Sequence, residues 1–251
     1  MASLPSAHIV GPRPSHEHTH TIIFLHGRDS TAKEFADELF ESEASTAGTE
    51  RIAGSGTGRT LPDLFPTARW VFPTAPMIRS ERFDTHMSQW FDMWSVEEPH
   101  ERGDLQTEGL EDSIALIGDI IGKEEQIIPR DKIFLAGISQ GFVAALATFL
   151  ADDRGGFAGL IGWCSWMPYL KYASQKRQAG VAPVFLAHAR DDEVVPVANG
   201  KELRTTLKEL GFSVEWHEYE EGGHWINEPQ GINDMSLFIQ RTMKLMSSRA
   251  D

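Results

Sequence analysis

Lys132–Gly141 reads KIFLAGISQG, and the architecture of the chain turns on how this stretch is read. After its first residue the run is apolar up to Ile138, which predicts a short strand buried on both faces. Gln140–Ala151 (QGFVAALATFLA) follows at once and reads as a helix. Between them, Gly137-Ile138-Ser139-Gln140-Gly141 fits G-x-S-x-G in the strand-to-helix context that gives this pattern meaning. A sharp turn here strains the backbone and lifts the Ser139 hydroxyl clear of the sheet. The flanking glycines leave room for strand and helix to cross. The Gln140 amide then lies at a helix N-terminus, where partial positive charge favours an oxyanion. The plainer reading is a serine that merely caps the helix.

Outward from this unit the alternation repeats. Thr21–Leu25 (TIIFL), Arg69–Phe72, Gly159–Cys164, Val184–Ala187 (VFLA) and Ser213–Tyr219 read as strands. Helical patterns lie over Ala32–Ser42, Thr107–Ile127, Val197–Leu210 and Ile232–Ser248. Strands that are apolar on both faces and separated by helices predict an α/β fold, a mostly parallel central sheet with helices on both faces. The 251 residues suit a single domain over 1–251. Within it, 1–19 reads as an N-terminal extension, 45–60 as a flexible Gly/Ser/Thr-rich loop, and 77–106 as an irregular connection near the pocket. Ligands of such sheets bind beyond the carboxyl ends of the strands, so the chemistry belongs in the loops that follow them.

A serine hydroxyl is a poor nucleophile until a neighbouring base takes its proton, and the base needs a carboxylate to orient it. Downstream of Ser139, the VFLA strand is followed by His188-Ala189-Arg190-Asp191-Asp192-Glu193, so Asp191, Asp192 and Glu193 compete for the acid. The last strand is followed by Glu220-Glu221-Gly222-Gly223-His224-Trp225, which makes His224 the candidate base. A second oxyanion donor is expected in Leu25-His26-Gly27-Arg28-Asp29-Ser30. Gly27 permits close backbone approach, and the Arg28 amide would join that of Gln140. The same loop also reads as a tight turn with Ser30 as the N-cap of the next helix.

Composition narrows the function classes. A formal net charge of −14 repels nucleic-acid phosphates and anionic lipid headgroups. One cysteine, Cys164, excludes an intrachain disulfide. No apolar run has the length of a membrane span, and the first residues lack the apolar core of a signal peptide. None of Asn199, Asn227 and Asn233 is followed by Ser or Thr two places on, so no N-glycosylation acceptor exists. A soluble cytoplasmic protein is expected, with no nucleic-acid partner and no stable membrane insertion.

Several motifs in order now support a resemblance. Phe24-Leu25-His26-Gly27, Phe72-Pro73-Thr74-Ala75-Pro76, Gln89-Trp90-Phe91-Asp92, the Ser139 pentapeptide, His188 to Pro196, and Gly223-His224 together resemble the phospholipase/carboxylesterase family, which includes the acyl-protein thioesterases, and its fungal members in particular. The likeness runs from about Thr21 to about Met243. It implies the α/β-hydrolase fold and a serine hydrolase that cleaves carboxylic esters or thioesters through an acyl-enzyme on Ser139. It assigns the acid to Asp192, and it implies no cofactor. Substrates would be small acyl esters or thioesters, lysophospholipids or lipidated proteins. Family members often pair, so a homodimer is one expectation. Three residues depart from the family pattern: Asp29 and Phe142 stand where glycine is usual, and Ala189 replaces a glycine beside the acid. Asp29 and Phe142 keep open a catalytically silent protein, and because fold does not fix reaction a lyase or acyl-transfer enzyme is a further alternative.

Tryptophan is costly to expose, so Trp90, Phe91, Trp94, Trp163 and Trp166 are core residues unless they line an apolar pocket. The expected pocket comprises Trp90, Phe91, Trp94, Phe142, Trp166 and Met167. His16, His18 and His20 would share one face of an extended strand, but they lie near the N-terminus with no cysteine partner at ligand spacing, and no metal is expected. Gly54–Gly58 (GSGTG) follows no strand and lacks a phosphate-loop lysine, so it reads as linker. Glu97–Asp112 reads as a solvated acidic face.

Overall fold

A computed structural model describes residues 7–45, 59–168 and 182–247. Its main sheet has seven strands: β1 (Ala7–Val10), β2 (His20–Leu25), β3 (Ala68–Pro73), β6 (Ile133–Ile138), β7 (Gly159–Trp163), β8 (Val184–Ala189) and β9 (Val214–Tyr219). Their order is β1-β3-β2-β6-β7-β8-β9. β1 runs antiparallel to β3, and every other neighbouring pair is parallel. A separate antiparallel hairpin joins β4 (Met77–Ser80) to β5 (Thr85–Ser88). The helices are α1 (Ala32–Glu41), α2 (Leu61–Leu64), α3 (Gln106–Glu124), α4 (Gln140–Ala151), α5 (Val197–Glu209) and α6 (Gln230–Ser247).

The continuous apolar strands follow from burial on both faces. Along a strand successive side chains point to opposite sides, so one run of apolar residues serves two cores. In β2, Ile23 and Leu25 pack with α3, α4 and α5, whereas Ile22 and Phe24 pack with α1, α2 and α6. β6 divides in the same way, Ile133 and Leu135 to the first core, Phe134, Ala136 and Ile138 to the second. α4 is buried from Gln140 to Phe149, which explains why its sequence shows almost no polar face. α3 instead buries a stripe that includes Leu110, Ile117, Ile120 and Ile121.

The structure departs from the sequence reading in three places. Ala7–Val10, placed by the sequence in an N-terminal extension, is an edge strand paired with β3. The connection at 77–106 holds the β4–β5 hairpin and a 3₁₀ turn at Gly103–Leu105. α1 is capped by Thr31, not Ser30: the Thr31 hydroxyl accepts from the Glu34 amide and donates to the Glu34 carboxylate. The linker reading at Gly54–Gly58 lies outside the described residues.

Candidate active site

β6 ends at Ile138 and α4 begins at Gln140, so Ser139 alone makes the turn between them. Its backbone has φ 55° and ψ −129°, a region L-residues rarely adopt and one that costs on the order of 1–3 kcal/mol. The strain is held by hydrogen bonds on both sides of the residue. The Ser139 amide donates to the carbonyl of Trp163 at 2.8 Å, and its carbonyl accepts from the Ser165 hydroxyl at 2.9 Å. The Ser139 side chain makes no capping bond to α4, so the plain N-cap reading fails. The pentapeptide glycines are explained by the crossing. A Cβ on Gly137 would lie 2.4 Å from the Phe142 amide nitrogen, and one on Gly141 would lie 2.4 Å from the carbonyl oxygens of Leu25 and His26.

Of the competing carboxylates, Asp192 meets His224. His224 Nδ1 lies 2.8 Å from Asp192 Oδ2, and the Asp192 side chain is fully buried. Nδ1 therefore carries the hydrogen and leaves Nε2 free to accept one. The other carboxylate oxygen accepts from the amides of Val194 at 2.9 Å and Val195 at 2.8 Å. His188 adds a donor that the sequence reading did not single out. Its Nε2 lies 3.1 Å from Asp192 and 2.8 Å from the Val195 carbonyl, so it must carry the hydrogen between these two acceptors. Burial alone would raise the Asp192 pKa, but the hydrogen bonds from His188 and His224 outweigh it and hold the carboxyl well below its ordinary range. Asp191 points elsewhere: it accepts from the amides of Gly222 at 3.2 Å and Gly223 at 2.8 Å, bracing the loop that carries His224.

Cys164, His188 and Asp192 bring buried ligand-type atoms within 4.8 Å of one another. Burial and the negative charge of Asp192 raise the Cys164 thiol pKa strongly, so the free thiol stays protonated. His16, His18 and His20 do not gather into a ligand set among the described residues.

The loop after β2 borders Ser139. A Cβ on Gly27 would sit 3.6 Å from Ser139 Cβ, so the backbone comes close at this point. The Asp29 amide donates to the Ser88 carbonyl at 2.7 Å, which fixes the loop and commits that donor. Among the described residues no backbone acceptor takes the amide of Arg28 or that of Gln140. Asp29 has φ 62°, a left-handed conformation that suits glycine best and that Asp tolerates better than most residues. The loop is locked from behind by the Trp90 segment. The Gln140 side chain accepts from the Trp90 amide and donates to the Phe91 carbonyl, both at 2.8 Å, and the Trp90 indole donates to the His26 carbonyl at 2.8 Å.

Ser139 and His224 line one cleft of about 790 Å³, together with Arg28 and Asp29. Its apolar wall is made by Phe35, Phe83, Met87, Val96, Val194 and Trp225. None of the expected pocket residues is among the described lining. Trp90, Phe91, Phe142, Trp166 and Met167 are buried in the core, and Trp94 lies under the Arg102 guanidinium at 5.1 Å. The aromatic-rich sequence was read correctly as apolar, but tertiary packing turned these rings inward. Phe142 illustrates the reason. Its ring rests on β7 at Gly162, where a Cβ would lie 2.6 Å from ring carbons. Its bulk is thus accommodated in the sheet rather than projected into the cleft. Trp225 carried a signal in the sequence, since it directly follows the candidate base.

The sequence profile of the phospholipase/carboxylesterase family matches residues 6–243. The chain is 29% identical over 234 residues to acyl-protein thioesterase 1 of Yarrowia lipolytica, covering 90% of this chain and 93% of that one. It is 33% identical over 186 residues to acyl-protein thioesterase 1 of Eremothecium gossypii, covering 70% and 75% of the two chains. The crystal structure of Zea mays acyl-protein thioesterase 2 superposes with a TM-score of 0.72 at 23% identity, over 95% of this chain and 99% of that one, a likeness of fold. With its parallel sheet, strained serine turn and nearly full-length match, this chain belongs to the phospholipase/carboxylesterase family of α/β-hydrolases.

Proposed function

We propose that this chain hydrolyses carboxylic esters or thioesters by a serine mechanism, with Ser139 as nucleophile, His224 as general base and acid, and Asp192 as the orienting carboxylate. The observation that carries the reading is the bond between buried Asp192 and half-buried His224, 2.8 Å long, with His224 sharing one cleft with the strained Ser139. Ser139 Oγ attacks the carbonyl carbon while His224 Nε2 takes the hydroxyl proton. The amides of Arg28 and Gln140 hold the resulting oxyanion, each contributing about 3 kcal/mol to the barrier reduction. The carbon–oxygen or carbon–sulfur bond then breaks, and His224 returns the proton to the departing alcohol or thiol. Water repeats the sequence on the acyl-enzyme and releases the acid. Throughout, Asp192 stays ionised, fixes the imidazole tautomer and stabilises the transient imidazolium.

The relatives named acyl-protein thioesterase extend the substrate class to acylated proteins. No described helix is long and apolar enough to cross a membrane, which agrees with substrates met in solution or at a surface. The test is hydrolysis of a chain-length series of esters beside matching thioesters. Wild-type turnover of both, reduced about 10⁴-fold or more in Ser139→Ala, is expected. Activity that survives the substitution contradicts the assignment.

A further inference from the structure

Two arginines crowd one aromatic ring at the cleft. The Arg28 guanidinium lies 5.6 Å from the centroid of Phe83, and that of Arg82 lies 5.4 Å from it. Phe83 is 49% exposed and lines the cleft that holds Ser139 and His224. Among the described residues, neither arginine has a carboxylate oxygen within 4.0 Å. The chain has 37 acidic and 23 basic residues, and Arg13, Arg59, Arg69, Arg79, Arg102 and Arg130 all have such a partner, whereas Arg204, away from the cleft lining, also lacks one.

The two guanidiniums differ in what they hold. Arg82 donates to the Trp94 carbonyl at 2.6 Å. Arg28 Nη1 is buried and has no hydrogen-bond partner. A buried N–H of a cation left without an acceptor is costly, and a ligand oxygen would offset that cost. Burial and the nearby Arg82 hold the Arg28 pKa below its ordinary value, while Asp29, Asp92 and Glu97 act against them from a distance. The carboxylates lining the same cleft do not serve as partners. Asp29, Glu34 and Glu38 are exposed, and Glu34 is engaged by the Thr31 hydroxyl at 2.9 Å.

We propose that Arg28, with Arg82 beside it, binds an anionic group of the substrate, a carboxylate or phosphate a few bonds from the scissile carbonyl. The inference rests on the hydrolase reading above. The Arg28 amide is the candidate oxyanion donor, so its own guanidinium reaches no further than one side-chain length from the reacting carbon. Charge recognition and carbonyl recognition thus come from one residue. A guanidinium is intrinsically planar and its fork matches both carboxylate and phosphate, and the Phe83 ring adds a cation–π contact beside it.

The test compares kcat/KM on four thioesters. Three share a butyryl group and differ in the departing thiol: mercaptopropionate, its methyl ester, and mercaptoethyl phosphate. In the fourth, the methyl ester thiol carries an adipoyl group, which moves the carboxylate to the acyl side. At least one anionic substrate is expected to exceed the neutral one by about 10- to 100-fold, the worth of charge-assisted hydrogen bonds. The substrate favoured identifies the anion and the side of the carbonyl that carries it. The ratio should collapse in Arg28→Met and shrink in Arg82→Met. In the wild type alone it should fall as salt is raised, which holds the inference to account even where a variant folds poorly. Equal rates on neutral and anionic substrates, or an unchanged ratio in Arg28→Met, overturn the inference and leave the hydrolase reading intact. A wild type inert on all four and on the chain-length series of esters and thioesters overturns the hydrolase reading itself.

Discussion

Asp191 and Asp192 are neighbours with different tasks, and one pair of substitutions separates them. Asp192 bonds His224, whereas Asp191 bonds the Gly222 and Gly223 amides just before it. Asp192→Asn should lower kcat about 10⁴-fold with KM nearly unchanged, because the imidazole loses its tautomer control. Asp191→Ala should lower kcat only about 10- to 100-fold, through a displaced His224 loop. Equal losses in the two variants, measured by steady-state ester hydrolysis, would contradict this division. Ser139 and His224 were legible in the sequence because each follows a strand end, and Asp192 only through the family motif. His188 was not. Its role depends on β8 placing it beside a carboxylate four residues later, and nothing in a strand histidine marks that contact. The cleft lining was misread for a related reason. Burial of an aromatic residue is legible from its type, but the direction of its ring is decided by neighbours such as Gly162 and His26.

The α4–β7 contact is the element-level counterpart of the serine turn. Phe142 projects from the first turn of α4 onto Gly162 of β7, directly behind Ser139. Gly162→Ala would force a methyl group to within 2.6 Å of the ring carbons in a closely packed core. The expected cost is about 1–3 kcal/mol of stability. The same substitution should cost clearly less on a Phe142→Ala background, where the ring is gone. Denaturant unfolding of the four proteins measures the coupling, and additive costs would show that the contact is not the constraint. At this scale the buried strands and long helices were legible, since an apolar run flanked by glycine or proline leaves few alternatives. β1 and the β4–β5 hairpin were not. Ala7–Val10 is a half-buried edge whose partner β3 lies far along the chain, and the hairpin strands MIRS and THMS lack apolar alternation.

Across the whole molecule, pH stability should respond to His217, which ties the last strand to the last helix. Its Nε2 lies 2.8 Å from Glu215 and its Nδ1 lies 3.1 Å from Asp234 on α6. Burial opposes its charge, but the bonds to Asp234 and Glu215 outweigh this and lift its pKa from 6.5 to about 9. The folded state therefore holds this proton more tightly than the unfolded chain. The stabilisation is full below pH 6.5 and lost as pH rises through about 9. The stability difference between wild type and His217→Gln should shrink across that window in thermal unfolding, and a constant difference would contradict the linkage. The chain carries a net charge of −14, and the cleft follows that balance: Asp29, Glu34 and Glu38 line it beside the single arginine, Arg28. The central claim is that Ser139 is made nucleophilic by the His224–Asp192 pair. Reaction with a fluorophosphonate, followed by peptide mass spectrometry, tests it most directly. The account predicts one adduct, on Ser139, that forms far more slowly in His224→Ala; an adduct on another residue, or labelling of Ser139 at an undiminished rate without His224, would contradict it.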